Sequence, residues 1–136
     1  LMSALRDNTR ALRTNLFGVH FAEVAVTTTG GYADLASAQV YVPSLPDYTG
    51  LQRKLTVGVE AKVDASGDEI QLRLSGFGTT GTAVSVTSTT YGIVELSIDI
   101  GSSYAGNTET VTIQGQAITG TGKARSLNLV TWRLEY

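Results

Sequence analysis

The chain has 136 residues, 42% of them hydrophobic and 16% charged, with a net charge of −2, one His and no Cys. That is one domain's worth of sequence, long enough for a real core. The missing thiols exclude disulfides, thiolate metal sites and cysteine nucleophiles, and the near-neutral balance leaves no overall footprint for nucleic acid.

From Ser3 to about Leu16 the pattern predicts a helix. Ser3 suits the N-cap, no Gly or Pro intervenes, and Gly18 stops it. Met2, Leu5, Thr9, Leu12 and Leu16 follow a 3-4-3-4 spacing, the a/d pattern of a coiled-coil seam, while Arg6, Arg10 and Arg13 lie off it. Two readings of this stripe stay open: a short oligomeric coil, or packing against the chain's own β domain. The narrowness of the seam favours the coil, because a helix lying on a sheet shows a wider apolar face. Residues 1–17 are thus expected as a helix and 18–136 as a β-sandwich domain.

After Gly18 the alternation is of period two. Val19–Thr28 places Ala22, Val24 and Val26 on one face, and Leu35–Val42 places Ala38, Val40 and Val42. Pro43 and Pro46 bracket a loop through Tyr48 and Gly50. Leu55, Val57, Val59, Ala61 and Val63 then alternate with polar residues, as do Ile70, Leu72 and Leu74 beyond a turn from Asp64 to Asp68. The expected arrangement is one antiparallel hairpin, Leu55 to Leu74, around which the domain is organised.

Thr82–Thr90 turns Val84 and Val86 inward, and Tyr91–Ile100 does the same with Val94, Leu96, Ile98 and Ile100. A polar loop from Gly101 to Asn107 leads to Thr108–Thr119, with Val111 and Ile113 inward. Gly120-Thr-Gly122 turns into a last strand, about Ala124 to Tyr136, where Val130, Trp132 and Leu134 share a face. About eight short strands with Gly-rich turns predict an all-β fold, a jelly-roll-like antiparallel sandwich preceded by one short helix.

Catalytic motifs fail their structural requirements. Gly76-Phe-Gly-Thr-Thr-Gly81 matches the dinucleotide-binding string, but a Thr/Val strand follows where a helix N-terminus should receive the pyrophosphate. Gly120-Thr-Gly-Lys-Ala lacks the first P-loop glycine, the hydroxyl after lysine and the helix. Asp64, Ser66, Asp68 and Glu69 alternate oxygens like the start of a calcium loop, yet the twelve-residue spacing would place the last ligand at Ser75. His20 has only Glu23 nearby, too little for a metal site, and no serine sits in a nucleophile elbow. Glu60, Glu95 and Asp99 occupy outward strand positions. No catalytic residue, no cofactor and no metal are expected. Tyr32, Tyr41, Tyr48, Tyr91 and Tyr104 lie at or near turns, where they cap the sandwich or offer platforms to a sugar; Tyr48 and Tyr104 are the candidate glycan contacts.

The string Ala4-Leu-Arg-Asp-Asn-Thr-Arg-Ala-Leu12, followed by a Thr/Gly-rich β domain closing on Val130-Thr-Trp-Arg-Leu-Glu-Tyr136, resembles virion structural proteins of tailed bacteriophages. In tail-fibre, appendage and head-decoration proteins of this type a short helix precedes a compact β domain. The resemblance implies a homotrimer without enzymatic activity; the expected location is the virion and the expected partners are other virion proteins, with a host-surface glycan as a further candidate. The candidate oligomer interface is then Met2, Leu5, Thr9, Leu12 and Leu16. The alternative is a secreted carbohydrate-binding β-sandwich using the loop tyrosines. No signal peptide and no bilayer-spanning run is legible, so no membrane insertion is expected. The opening Leu-Met reads as the start of an excerpt from a longer polypeptide, or as a residual tag residue.

Overall fold

The computed structural model of the protein describes residues 14–17, 21–43, 53–126 and 132–135. Among these residues eleven strands run β1 (Thr14–Phe17), β2 (Phe21–Val26), β3 (Ala33–Tyr41), β4 (Arg53–Val63), β5 (Glu69–Gly76), β6 (Thr79–Thr80), β7 (Val84–Val86), β8 (Gly92–Ile100), β9 (Thr108–Thr119), β10 (Gly122–Ser126) and β11 (Trp132–Glu135). A 3-10 turn, Ser102–Tyr104, joins β8 to β9.

All pairings are antiparallel and fall into two sheets. In sheet A, β8 lies along one edge of β4, while β10 and β11 take successive stretches of its other edge. Beyond them β2 pairs with β10 and β1 with β11. In sheet B the order is β3–β9–β5, with β6 and β7 along the free edge of β5. Taking β1 with β2, β6 with β7, and β10 with β11 gives eight strand positions, first to eighth in chain order. The first then pairs with the eighth, the second with the seventh, the third with the sixth and the fourth with the fifth. That is a long antiparallel ribbon folded over on itself: a jelly-roll sandwich, as the spacing of strands predicted.

The organising hairpin is corrected by this topology. β4 and β5 alternate as expected, but they do not pair: β4 belongs to sheet A and β5 to sheet B. The turn from Asp64 to Asp68 carries the chain over the end of the sandwich. Leu55, Val57, Val59, Ala61 and Val63 therefore face Ile70, Leu72 and Leu74 across the core, all at 0–1% exposure. Two amphipathic strands joined by a short turn satisfy their apolar faces equally well side by side or face to face. Here the second arrangement lets each strand pair on both edges.

Two further expectations change. Thr14–Phe17, expected as the end of the helix, is a strand paired with β11, while residues 1–13 lie outside the described residues. In β2 the inward face is not Ala22, Val24 and Val26 throughout. A register shift opposite Ala124 and Ser126 inserts one extra residue, so Phe21 packs on the core and Ala22 is exposed.

The dinucleotide-like string resolves into the β5–β6 connection. Gly76 pairs with Thr79, leaving a two-residue loop with Phe77 at φ 52° and Gly78 at φ 70°. Two consecutive positive φ values are the signature of a type I′ hairpin turn, whose twist matches that of the flanking strands. Phenylalanine is an uncommon choice at such a φ. Its ring is buried at 6% exposure and meets Tyr104 edge-on, centroids 5.6 Å apart. Burial of an aromatic ring, about 1.5–3 kcal/mol, is enough to hold the strained backbone.

Candidate functional site on the outer face of sheet B

The two outer faces of the sandwich differ in charge. On sheet A the outward positions include Lys54, Glu60 and Lys62 on β4, Glu95 and Asp99 on β8, and Lys123 and Arg125 on β10. Lys54 stands opposite Asp99, and Arg125 holds Glu60 at 3.0 Å. Lys62 and Lys123 face each other across the strands, an unfavourable pairing. It is relieved by Lys123 turning to Asp64 at 3.2 Å, and by Lys62 lying 5.1 Å from the centre of the Tyr91 ring. Thr121 and then Lys123 hold the Asp64 carboxyl below the usual carboxylate value. Asp68 accepts from the Thr121 N–H at 3.4 Å. Both aspartates of the calcium-like string thus serve to tie the β4–β5 and β9–β10 turns together.

Tyr91 carries the guanidinium of Arg125 over its ring at 3.7 Å and donates its hydroxyl to Glu23. Burial first, and then the Glu23 carboxylate, push that hydroxyl up from 10.0 to about 12. The folded protein holds this proton more tightly than the unfolded chain does. The associated stability is therefore intact below about pH 10 and is lost as pH rises from there through about 12. Tyr91→Phe is expected to flatten the fall of the urea midpoint across that window, and to remove the last tyrosine step from an ultraviolet titration. An unchanged alkaline slope would contradict this account.

Sheet B presents a different surface. Its outward positions are Asp34, Ser37, Gln39 and Tyr41 on β3, Thr108, Thr110, Thr112, Gln114 and Gln116 on β9, Glu69, Gln71, Arg73 and Ser75 on β5, and Ser85 on β7. From Ser37, Thr112 and Ser75 to Tyr41 and Thr108 this half of the face carries no charge among the described residues. Ser37 and Thr112 share a hydrogen bond at 2.9 Å, and Tyr41 stands 51% exposed at the end.

In the other half two hydrogen-bond relays cross the strands. In the first, Arg73 Nε donates to Gln114 Oε1 at 2.9 Å and Gln114 Nε2 donates to Asp34 Oδ1 at 3.0 Å. In the second, Tyr32 and Gln116 both donate to Gln71 Oε1, at 3.2 and 3.0 Å. Gln71 Nε2 donates in turn to Ser85 at 3.4 Å, and Ser85 to Glu69 at 2.9 Å. The Arg73 guanidinium lies 3.7 Å over the Tyr32 ring and joins the two relays. Each relay runs from a strong donor to a carboxylate, so the orientation of every amide within it is set.

Of the candidate glycan contacts, Tyr48 lies outside the described residues. Tyr104 is half-buried, packed against Phe77 and the core at the end of the sandwich. The seam residues Met2, Leu5, Thr9 and Leu12 also lie outside the described residues, and Leu16 falls in β1. His20 lies outside them as well. Among the described residues no three of His, Cys, Asp and Glu converge as a metal site would require. Gln71, Arg73, Gln114 and Gln116 were not singled out from the sequence. Their signal was present in the Thr/Gln series at positions 108, 110, 112, 114 and 116 of β9, alternating from Val111 to Ala117 with a buried series.

Fold and surface together define an antiparallel jelly-roll domain with one charged and one largely neutral outer face. No family model and no curated protein matches the chain. Among solved structures it is similar to the EclA C-terminal domain, described as a sugar-binding protein, at 9% identity and a TM-score of 0.47, over 88% of this chain and 83% of that one. It is also similar to structures of infectious bursal disease virus. For the Gt strain the identity is 11% and the TM-score 0.47, over 83% of this chain and 30% of that one. For the Gx strain the values are 12% and 0.45, over 91% and 31%. The protein thus spans about a third of those viral chains. These distant likenesses concern the arrangement of strands alone.

Proposed function

We propose that this chain is a non-enzymatic structural or attachment module of a bacteriophage particle, of tail-fibre, appendage or head-decoration type. It assembles as a homotrimer among other virion proteins. The observation that carries the reading is the uncharged half of the sheet B face, from Ser37, Ser75 and Thr112 to Tyr41 and Thr108. A sheet face that stays in water normally carries mixed charge for solubility, as sheet A does. Depletion of charge is what the centre of an interface requires. The helical seam expected through Met2, Leu5, Thr9 and Leu12, ahead of β1, would gather three copies and set these faces against neighbouring subunits.

Light scattering tests the assembly. A mass three times 14.3 kDa is expected at micromolar concentration, and a 14.3 kDa particle would overturn the trimer. Leu5→Asp combined with Leu12→Asp is expected to lower that mass while the far-ultraviolet spectrum of the β domain persists. Three unpaired carboxylates at each level of an axis cost several kcal/mol, more than so short a seam offsets. A double variant that stays fully trimeric would place assembly in the sandwich faces.

The second reading, a carbohydrate-binding domain, is favoured by the Tyr32–Arg73 pair and the amides around it.

A further inference from the structure

We propose that Tyr32, Asp34, Gln71, Arg73, Gln114 and Gln116 form a binding site for a neutral glycan, centred on the sheet face and apart from Tyr48 and Tyr104. The inference rests on the attachment reading above and names what is held there.

The array is ordered before any ligand arrives. Gln114 accepts through its carbonyl and donates through its amide, as does Gln71, so neither rotates freely. Side chains already fixed by one another add little entropy cost on binding. All six are reachable: Tyr32, Gln71, Arg73, Gln114 and Gln116 are half-buried and Asp34 is exposed.

The relays leave hydrogen-bonding capacity unspent. Among the described residues Arg73 is hydrogen-bonded through Nε, which leaves its two Nη groups as donors. Gln71, Gln114 and Gln116 each use one of two amide hydrogens, and Asp34 uses one of two carboxylate oxygens. Donors and acceptors therefore alternate along the row Asp34–Gln114–Arg73, which crosses three strands about 4.8 Å apart. A sugar hydroxyl both donates and accepts, so neighbouring hydroxyls on a ring can bond to the Asp34 oxygen and to an adjacent amide or guanidinium N–H together. Planar Arg, Gln and Asp groups suit such paired contacts because their polar atoms lie in one plane.

Charge selects the class of glycan. Among the described residues Asp34 and Glu69 stand against Arg73 alone, which leaves this half of the face slightly negative. Carboxylate, sulfate and phosphate groups are repelled by such a field, whereas a neutral sugar is not.

The test uses the full chain in its native assembly, on an array of neutral oligosaccharides (hexose, N-acetylhexosamine and fucose residues) beside sialylated and sulfated ones. Retention on neutral members is expected. Gln114→Leu and Arg73→Met should each weaken it about tenfold, with melting temperature and assembly mass unchanged. Arg73→Met acts through the loss of a charge-assisted hydrogen bond, and Gln114→Leu through the loss of an amide bond together with the relay that orients its neighbours. Lys62→Met, on the opposite face, should leave it unchanged. Should Gln114→Leu fail to fold, Arg73→Met and Gln116→Leu carry the test. No retention on any neutral member, retention confined to acidic members, or full retention by both variants would overturn the site. A changed mass with no glycan effect would also overturn it, since the face would then hold a second copy. The two proposals fail separately: a trimer that retains no glycan sinks only the site, and a monomer that retains neutral glycan sinks only the trimer.

Discussion

Gly81→Ala is expected to lower the melting temperature by roughly 10–15 °C, although the substitution adds a single methyl group on a surface connection. A Cβ at Gly81 would stand 2.1 Å from the carbonyl oxygen of Ser97. That neighbour is backbone, in the middle of β8, which is held along its length by β4. The Gly81 N–H is meanwhile committed to the Leu74 carbonyl at 2.8 Å. Neither side can yield without breaking pairing in one sheet or the other. A cost of about 3 kcal/mol follows, at the upper end of what overpacking usually takes. Gly92→Ala provides the contrast, because nothing lies within 4 Å of its Cβ position. There the melting temperature should hold or rise slightly. If both variants melt alike, the close approach of the β6 connection to β8 is wrong.

Leu72→Ala is expected to cost about 4 kcal/mol, in the upper part of the range for such truncations. Leu72 is 0% exposed and sits in register with Gly115 on β9, a position that supplies no side chain. A Cβ at Gly115 would lie 3.0 Å from Leu72 Cδ2, with Leu35 and Val26 at 2.9 and 3.2 Å. Leucine therefore fills the space that glycine leaves open, and its removal creates a cavity that the rigid β9 backbone cannot close. Gly115→Ala alone should be mildly destabilising through crowding. Combined with Leu72→Ala it should recover part of the loss, because the added methyl enters the vacated space. Chemical denaturation of the two single variants and the double variant measures that coupling. Strict additivity would mean that the two positions do not share one volume.

Much of the core was legible because strand alternation is local. Leu55 to Val63, Ile70 to Leu74, and Leu96 to Ile100 repeat every second residue, and the structure buries them. Ala22 was misplaced because a β-bulge changes phase without any mark in the residue pattern. The sheet B array was less legible for another reason. Its bonds join residues 39, 41 and 80 positions apart, Tyr32 to Gln71, Arg73 to Gln114 and Asp34 to Gln114. No spacing rule connects such positions until the order of strands is known.

By itself the sequence determined that the chain beyond Gly18 is a β-sandwich with glycine-rich turns, since period-two burial and turn glycines depend only on neighbours along the chain. The neutral outward series of β9, Thr108, Thr110, Thr112, Gln114 and Gln116, follows from the same local alternation that places Val111 and Ile113 inward. Which strand lies beside which was decided only by the tertiary structure. An apolar strand face is satisfied by any apolar face across the core, and backbone N–H and C=O groups carry no identity by which to choose a partner. β4 accordingly left its chain neighbour β5 for β8, β10 and β11, and β5 was placed beside β9. That exchange brought Arg73 to Gln114, and with it the array on the face of sheet B.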